Sequence, residues 1–86
     1  MNSREFIYDI KKFNKRKLSE LQHKIRTVLK CYTVVDFRLN EDDNTFSFKK
    51  NYMIRGVRME DNKESRGNYT YEELDETKCK IIITIF

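Results

Sequence analysis

The residues best equipped for chemistry in this 86-residue chain cluster early. Lys11, Lys12, Lys15, Arg16 and Lys17 flank Phe13 and Asn14 in the run KKFNKRK. Lys and Arg neutralise phosphates and release condensed counterions, a largely sequence-independent effect that dominates nucleic-acid affinity. The Arg16 guanidinium can grip a phosphate with two parallel hydrogen bonds, and the Asn14 amide can read a base edge. On a helix, Lys12, Lys15, Arg16 and either Lys24 or His23 would line one side, opposite an apolar stripe. The competing readings are a solvated helix face and a dock for an acidic protein surface.

A second group alternates basic with aromatic and apolar residues. Lys49, Lys50, Arg55 and Arg58 interleave with Phe48, Tyr52 and Ile54. On a sheet this pattern offers stacking platforms to single-stranded nucleic acid. The sequence motif of an RNA-binding sheet is absent, and so small a domain needs its aromatics, Tyr69 and Tyr71 included, for its core.

Other chemistries find little support. His23 is the only histidine and Cys31 and Cys79 lie far apart, so no metal or other cofactor is expected. Glu41, Asp42 and Asp43 lack the spacing of a calcium loop and read as a solvated turn. There is no Gly-rich phosphate loop, and no Ser or Cys with a neighbouring base. Glu60, Asp61 and Lys63 have the residue types of a metal-dependent nuclease but fall in a polar stretch. A small metal-free ribonuclease is the best enzyme candidate, with Arg55, Arg58 and Glu60 as its actors. The expectation is nonetheless a protein that is not an enzyme.

Charge is uneven along the chain. Residues 1–30 carry nine Lys/Arg against Glu5, Asp9 and Glu20, whereas residues 31–86 carry nine against eleven Asp/Glu. A basic first part on a mildly acidic second part points to a polyanionic or acidic partner for the former. Pro, Trp and Ala are missing and Gly occurs only twice, while Lys, Ile, Asn, Phe and Tyr abound. That bias follows AT-rich codons and suggests a low-GC bacterium or one of its phages. No signal peptide and no membrane-spanning run is evident, so a cytoplasmic protein with reduced thiols is expected.

These residues must be held by one small domain spanning 1–86. A chain of this length buries only somewhat more than ~60 % of its unfolded surface, so self-association as a homodimer could add burial. Leu18, Leu21, Ile25, Val28, Leu29 and Tyr32 recur at helical spacing and predict a helix ending near Tyr32. Phe6, Ile10 and Phe13, with Ser3 as N-cap, favour an earlier helix over residues 3–13. The alternative is a strand in which Phe6, Tyr8 and Ile10 alternate. A break near Asn14, in the polar run NKRK, is favoured over one long helix.

From Thr33 the period becomes two. Thr33, Val35, Phe37 and Leu39 are expected on one face, then the turn NEDDN, then Phe46 and Phe48 on the return strand. A poorly marked turn follows at residues 49–51, with one long bent strand over 46–59 as its alternative. Tyr52 and Ile54 alternate in one phase and Val57 and Met59 in the other, which reads as a β-bulge at Gly56. Residues 61–68 read as a polar loop. Residues 69–73 read as strand, with a capping-box helix over 71–77 as the alternative. Cys79 to Phe86 reads as a central strand covered on both faces.

The fold expected is α+β, with residues 1–32 helical and 33–86 a sheet: one or two N-terminal helices on a four- to five-stranded antiparallel β-sheet (meander). The function expected is a small non-enzymatic binding module that contacts DNA or RNA through Lys11, Lys12, Asn14, Lys15, Arg16, Lys17 and Lys24. The alternative is a phage-encoded inhibitor or accessory factor that docks on an acidic host protein surface.

Overall fold

The computed structural model describes residues 2–86 and is an α+β fold. Its elements are β1 (Asn2–Asp9), α1 (Ile10–Lys15), α2 (Lys17–Leu29), β2 (Thr33–Asn40), β3 (Thr45–Ile54), β4 (Val57–Glu73) and β5 (Lys78–Ile85). The five strands form one antiparallel sheet in the order β1-β5-β4-β3-β2. Strands β2 to β5 are a meander, and β1 adds to its far edge beside β5. Among the described residues no helix is long and apolar enough to cross a membrane.

The helices cover one face of the sheet. Cys79, Ile81, Ile83 and Ile85 of β5 point into that core with Tyr8, Phe46, Phe48 and Tyr69, and Phe13, Leu21 and Ile25 close it from above. The opposite face is open and polar. There Lys80 reaches Glu5 and Glu72, each at 3.4 Å, and Ser3 hydrogen-bonds Thr84 at 3.0 Å. The helical stripe is shorter than its spacing predicts. Leu21 and Ile25 are buried, Val28 and Leu29 pack partly, and Leu18 and Tyr32, at its two ends, stay exposed.

Residues 2–9 are strand, not helix. Phe6 and Tyr8 stand opposite Ile81 and Cys79 in the register and share their face, so pairing with the other end of the chain selects the alternating pattern over the helical one. Asp9 then caps α1 by accepting from the Lys12 amide at 3.1 Å. The break between helices falls at Arg16, within the polar run, where the backbone leaves helical geometry at φ −125° and ψ 32°. The Arg16 amide still bonds the Lys12 carbonyl, so α1 finishes its turn before the chain bends.

The later strands differ from expectation in parity and length. In β2 the register slips between Val35 and Arg38, where Asp36 takes φ 53°. One extra residue there puts Val34 inward before the bulge and Phe37 and Leu39 inward after it. No turn occurs at residues 49–51. Instead β3 runs to Ile54 and reverses through Arg55 and Gly56, both at positive φ, as a two-residue hairpin requires. The segment 61–68 belongs to β4, which is 17 residues long and irregular opposite Lys49. Tyr69–Glu73 is strand, as its alternation predicts, and no helix follows. Strand β5 is interior to the sheet but covered on one face only, with Ile82 and Thr84 half-buried on the other.

Candidate nucleic-acid interface

The basic run is carried by a short helix that the sheet holds at two points. The Ile10 amide donates to the Thr77 carbonyl at 2.9 Å. Phe13, 1 % exposed, sinks among Tyr8, Tyr69 and Tyr71 with ring centroids 5.5, 6.1 and 6.0 Å away. With Phe13 directed inward, helical geometry sends Lys11, Lys12, Asn14 and Lys15 outward, and all four are exposed with Arg16. Among the described residues, Lys11, Lys12, Lys15 and Arg16 have no ion-pair partner. The first turn of α2 lacks a side-chain cap, which leaves its amides to add to the positive field.

Two expected members are diverted. Lys17 pairs with Glu41 at 3.4 Å. Lys24 lies over the rings of Phe6 and Tyr8, 5.1 and 5.7 Å from their centroids, so it packs on β1 instead of extending the cluster. His23 is exposed on α2. The cluster is therefore Lys11, Lys12, Lys15 and Arg16 around Asn14. Its neighbours include the turn after β4, where the Asp75 carboxylate accepts from the Thr77 and Lys78 amides at 2.7 and 2.8 Å. Those bonds hold Asp75 below the usual carboxylate range.

The second basic group does not form one patch. Lys49 and Lys50 are adjacent in β3 and so face opposite sides. Lys50, on the helix side, is pinned by Asp61 at 3.2 Å and Ser65 at 3.0 Å. Arg58 pairs with Glu60 at 3.3 Å on an exposed strand, and Arg55 sits in the turn beyond them. Phe48 and Tyr69 are buried in the core, and Tyr71 stacks on Phe13. The aromatics that could have stacked on bases thus serve packing. Asp42 and Asp43 lie in the β2–β3 turn, where Asp43 bonds the Thr45 amide and hydroxyl. Among the described residues no group of three His, Cys, Asp or Glu side chains is placed to hold a metal.

Both cysteines are free and buried. Burial is the largest cause of a rise in the thiol pKa of both Cys31 and Cys79 above the ordinary range. Burial, and after it Glu20, pushes the Tyr8 hydroxyl well above the ordinary tyrosine value; it has no hydrogen-bond partner at bonding distance. Tyr71 is raised by burial and then Glu73, and Lys80 by Glu5 and then Glu72. All five groups favour their protonated form on folding. Their contribution is complete below the unfolded values, about 8.5 for a thiol and about 10 for a phenol or an amine, and is lost as pH rises through the folded ones. The urea midpoint should hold steady from about pH 6 to about pH 8 and fall in the alkaline limb above about pH 9. A midpoint that stays level through that limb would contradict these assignments.

Comparison with family models, with curated proteins and with solved structures found no match to the chain.

The feature that sequence reasoning missed is an arm. β5 pairs with β4 only from Gly67 onward, and β2 pairs with β3 only up to Asn51. Beyond those limits β3 and β4 continue alone as a two-stranded ribbon. In its register Tyr52 faces Met59 and Ile54 faces Val57, so four apolar side chains share one side. Ile54, Val57 and Met59 are 55 %, 59 % and 50 % exposed. The arm lies at the far end of the molecule from α1, because β4 starts at the arm and ends beside Phe13, along a longest dimension of 44 Å.

Proposed function

We propose that this protein is a non-enzymatic nucleic-acid-binding module that engages the phosphate backbone through Lys11, Lys12, Lys15 and Arg16. The observation that carries this reading is that these four exposed cations, at the corner between two helices, have no ion-pair partner among the described residues. Their composition separates the reading from an acidic protein dock. A protein interface wants an apolar centre within a polar rim. Between Lys11 and Arg16 the one apolar residue is Phe13, and it is buried. Leu18, about half exposed just beyond Arg16, borders the corner beside Asn14. The four cations themselves frame no apolar centre, and such a surface suits phosphates, which supply charge and little else. Asn14, exposed among the cations, is the one group suited to a base edge, so binding should be mainly non-specific.

The test is fluorescence anisotropy at low salt with a labelled DNA duplex and a labelled single-stranded RNA. The variant with Lys11, Lys12, Lys15 and Arg16 all changed to Gln should lose affinity by roughly 100-fold or more, in line with the loss of about four phosphate contacts. Because all four side chains are exposed, its thermal unfolding should match that of the parent. Absence of binding by the parent, or equal binding by a folded variant, overturns the reading.

A further inference from the structure

Asn51 is a buried polar residue whose side chain the fold leaves unused. It stands in β3, directly opposite Thr33 of β2 on one side and Glu60 of β4 on the other, and is 6 % exposed. Its backbone carbonyl accepts from the Tyr32 amide at 2.7 Å, which fixes Tyr32 beside it. Its side-chain amide has no hydrogen-bond partner among the described residues. Among those residues only the Tyr8 hydroxyl is both sealed from solvent and unpartnered. The Asn51 amide therefore keeps an outlet to solvent. An amide held this deep without a partner is costly, and a ligand that bonds it recovers the loss.

The outlet is a depression of about 440 Å³, lined by Arg26, Tyr32, Thr33, Val35, Asn51 and Arg58. That is a size suited to a small ligand. Its lining has two arginines and no carboxylate. Arg58 is engaged by Glu60 at 3.3 Å. Arg26, exposed in the last turn of α2, has no ion-pair partner among the described residues. Tyr32 is 48 % exposed, so its ring has a free face. Asn51 also borders a neighbouring depression that carries Asp36, Glu60 and Asp61, and an anionic group is repelled from that side toward Arg26.

These groups call for different parts of one molecule. The amide of Asn51 presents a donor beside an acceptor, which matches the edge of a nucleobase such as adenine. The Tyr32 ring matches a flat base face, and Arg26 matches a phosphate. A bare phosphate or a simple carboxylate would use Arg26 and leave Asn51 and Tyr32 idle. We propose that this depression binds a nucleotide with an unpaired base, held by Asn51 and Tyr32 at the base and by Arg26 at the phosphate. A free nucleotide and an unpaired nucleotide within a strand share this chemistry, whereas a duplex keeps its base faces covered. The site lies at the opposite end of α2 from the basic corner and does not depend on it.

The test is a titration of nitrogen-labelled protein with adenosine monophosphate, followed by NMR. The side-chain amide signals of Asn51 should shift, with half-saturation at or below roughly 1 mM, the weak end of specific recognition. Ribose phosphate should bind about tenfold more weakly or worse, because it lacks the base. Asn51→Leu should weaken the nucleotide about tenfold or more without lowering the thermal midpoint, since the amide has no bond within the fold to lose. Arg26→Gln, at an exposed position, should weaken adenosine monophosphate about tenfold and leave adenosine binding unchanged. The variant neutralised at Lys11, Lys12, Lys15 and Arg16 should bind adenosine monophosphate as the parent does, which separates this result from the proposed phosphate-backbone function. Displacement of the nucleotide by a short single strand but not by a blunt duplex supports a strand as the source, and displacement by neither supports a free nucleotide. The proposal is overturned if adenosine monophosphate leaves the Asn51 signals unmoved, if ribose phosphate binds as well, or if the duplex displaces the nucleotide as the single strand does.

Discussion

Phe13→Ala is expected to cost about 3–5 kcal/mol, the usual range for deleting a fully buried aromatic ring. A domain of this size has about 4–13 kcal/mol in all, so the substitution removes roughly a quarter of that stability or more. The reason is positional. Phe13 is the one buried residue of α1, and its ring meets Tyr8 of β1 and both Tyr69 and Tyr71 of β4. Removing it opens a cavity among three tyrosines and releases the helix that carries the basic corner. Thermal unfolding followed by far-ultraviolet circular dichroism should show a midpoint lower by more than roughly 12 °C. A drop of a few degrees would mean that α1 is held by its Asp9 cap and the Ile10–Thr77 bond instead.

Gly67→Ala is the second large effect, and it acts by overpacking. Gly67 stands between Phe46 on β3 and Ile85 on β5. A methyl group added there would run into the Thr84 carbonyl oxygen and come within 2.8 and 2.9 Å of two carbons of the Phe46 ring. The oxygen belongs to a paired interior strand and cannot swing away, and Phe46 is itself buried. The cost should reach about 3 kcal/mol, the upper end for overpacking. Gly56→Ala, where nothing lies within 4 Å of the added atom, would show only the milder strain of its φ of 77°. Urea denaturation of both variants checks this, and a Gly67 variant no worse than the Gly56 one would refute the packing argument.

How far the sequence discloses this molecule depends on whether the deciding contacts are local. The α+β class, the hairpin from Thr33 and the break within NKRK follow from period and turn chemistry over short windows. β1 does not, because Phe6 and Ile10 fit both a helical and an alternating pattern and the deciding partner is β5, some 80 residues away; the Ser3–Thr84 bond spans 81. β4 was hidden because residues 60–66 are polar on both sides and are strand only through backbone pairing with β3. The parity change at Gly56 was visible, but it has two physical causes. A bulge inverts parity within one strand, whereas a two-residue turn sets residues three apart directly opposite each other, and Ile54↔Val57 is the second case.

The same distinction governs the site. The location of Lys11, Lys12, Lys15 and Arg16 was legible because a short run on one helix stays together in any fold. The removal of Lys17, Lys24 and Lys50 from the free charge was not, because Glu41, the Phe6 and Tyr8 rings and Asp61 reach them only through tertiary structure. The apolar side of the arm needed the β3–β4 register as well.

The central claim is that four unpaired cations bind phosphates, and the salt dependence of duplex affinity tests it most directly. With about four contacts, log affinity should fall linearly with log salt at a slope of about −3 to −4. Each single Lys→Gln change within the corner should reduce that slope by about one, while Lys24→Gln should leave it unchanged because Lys24 is spent on the Phe6 and Tyr8 rings. A slope near zero, or one unaltered by neutralising Lys11, Lys12, Lys15 and Arg16 together, would contradict the account.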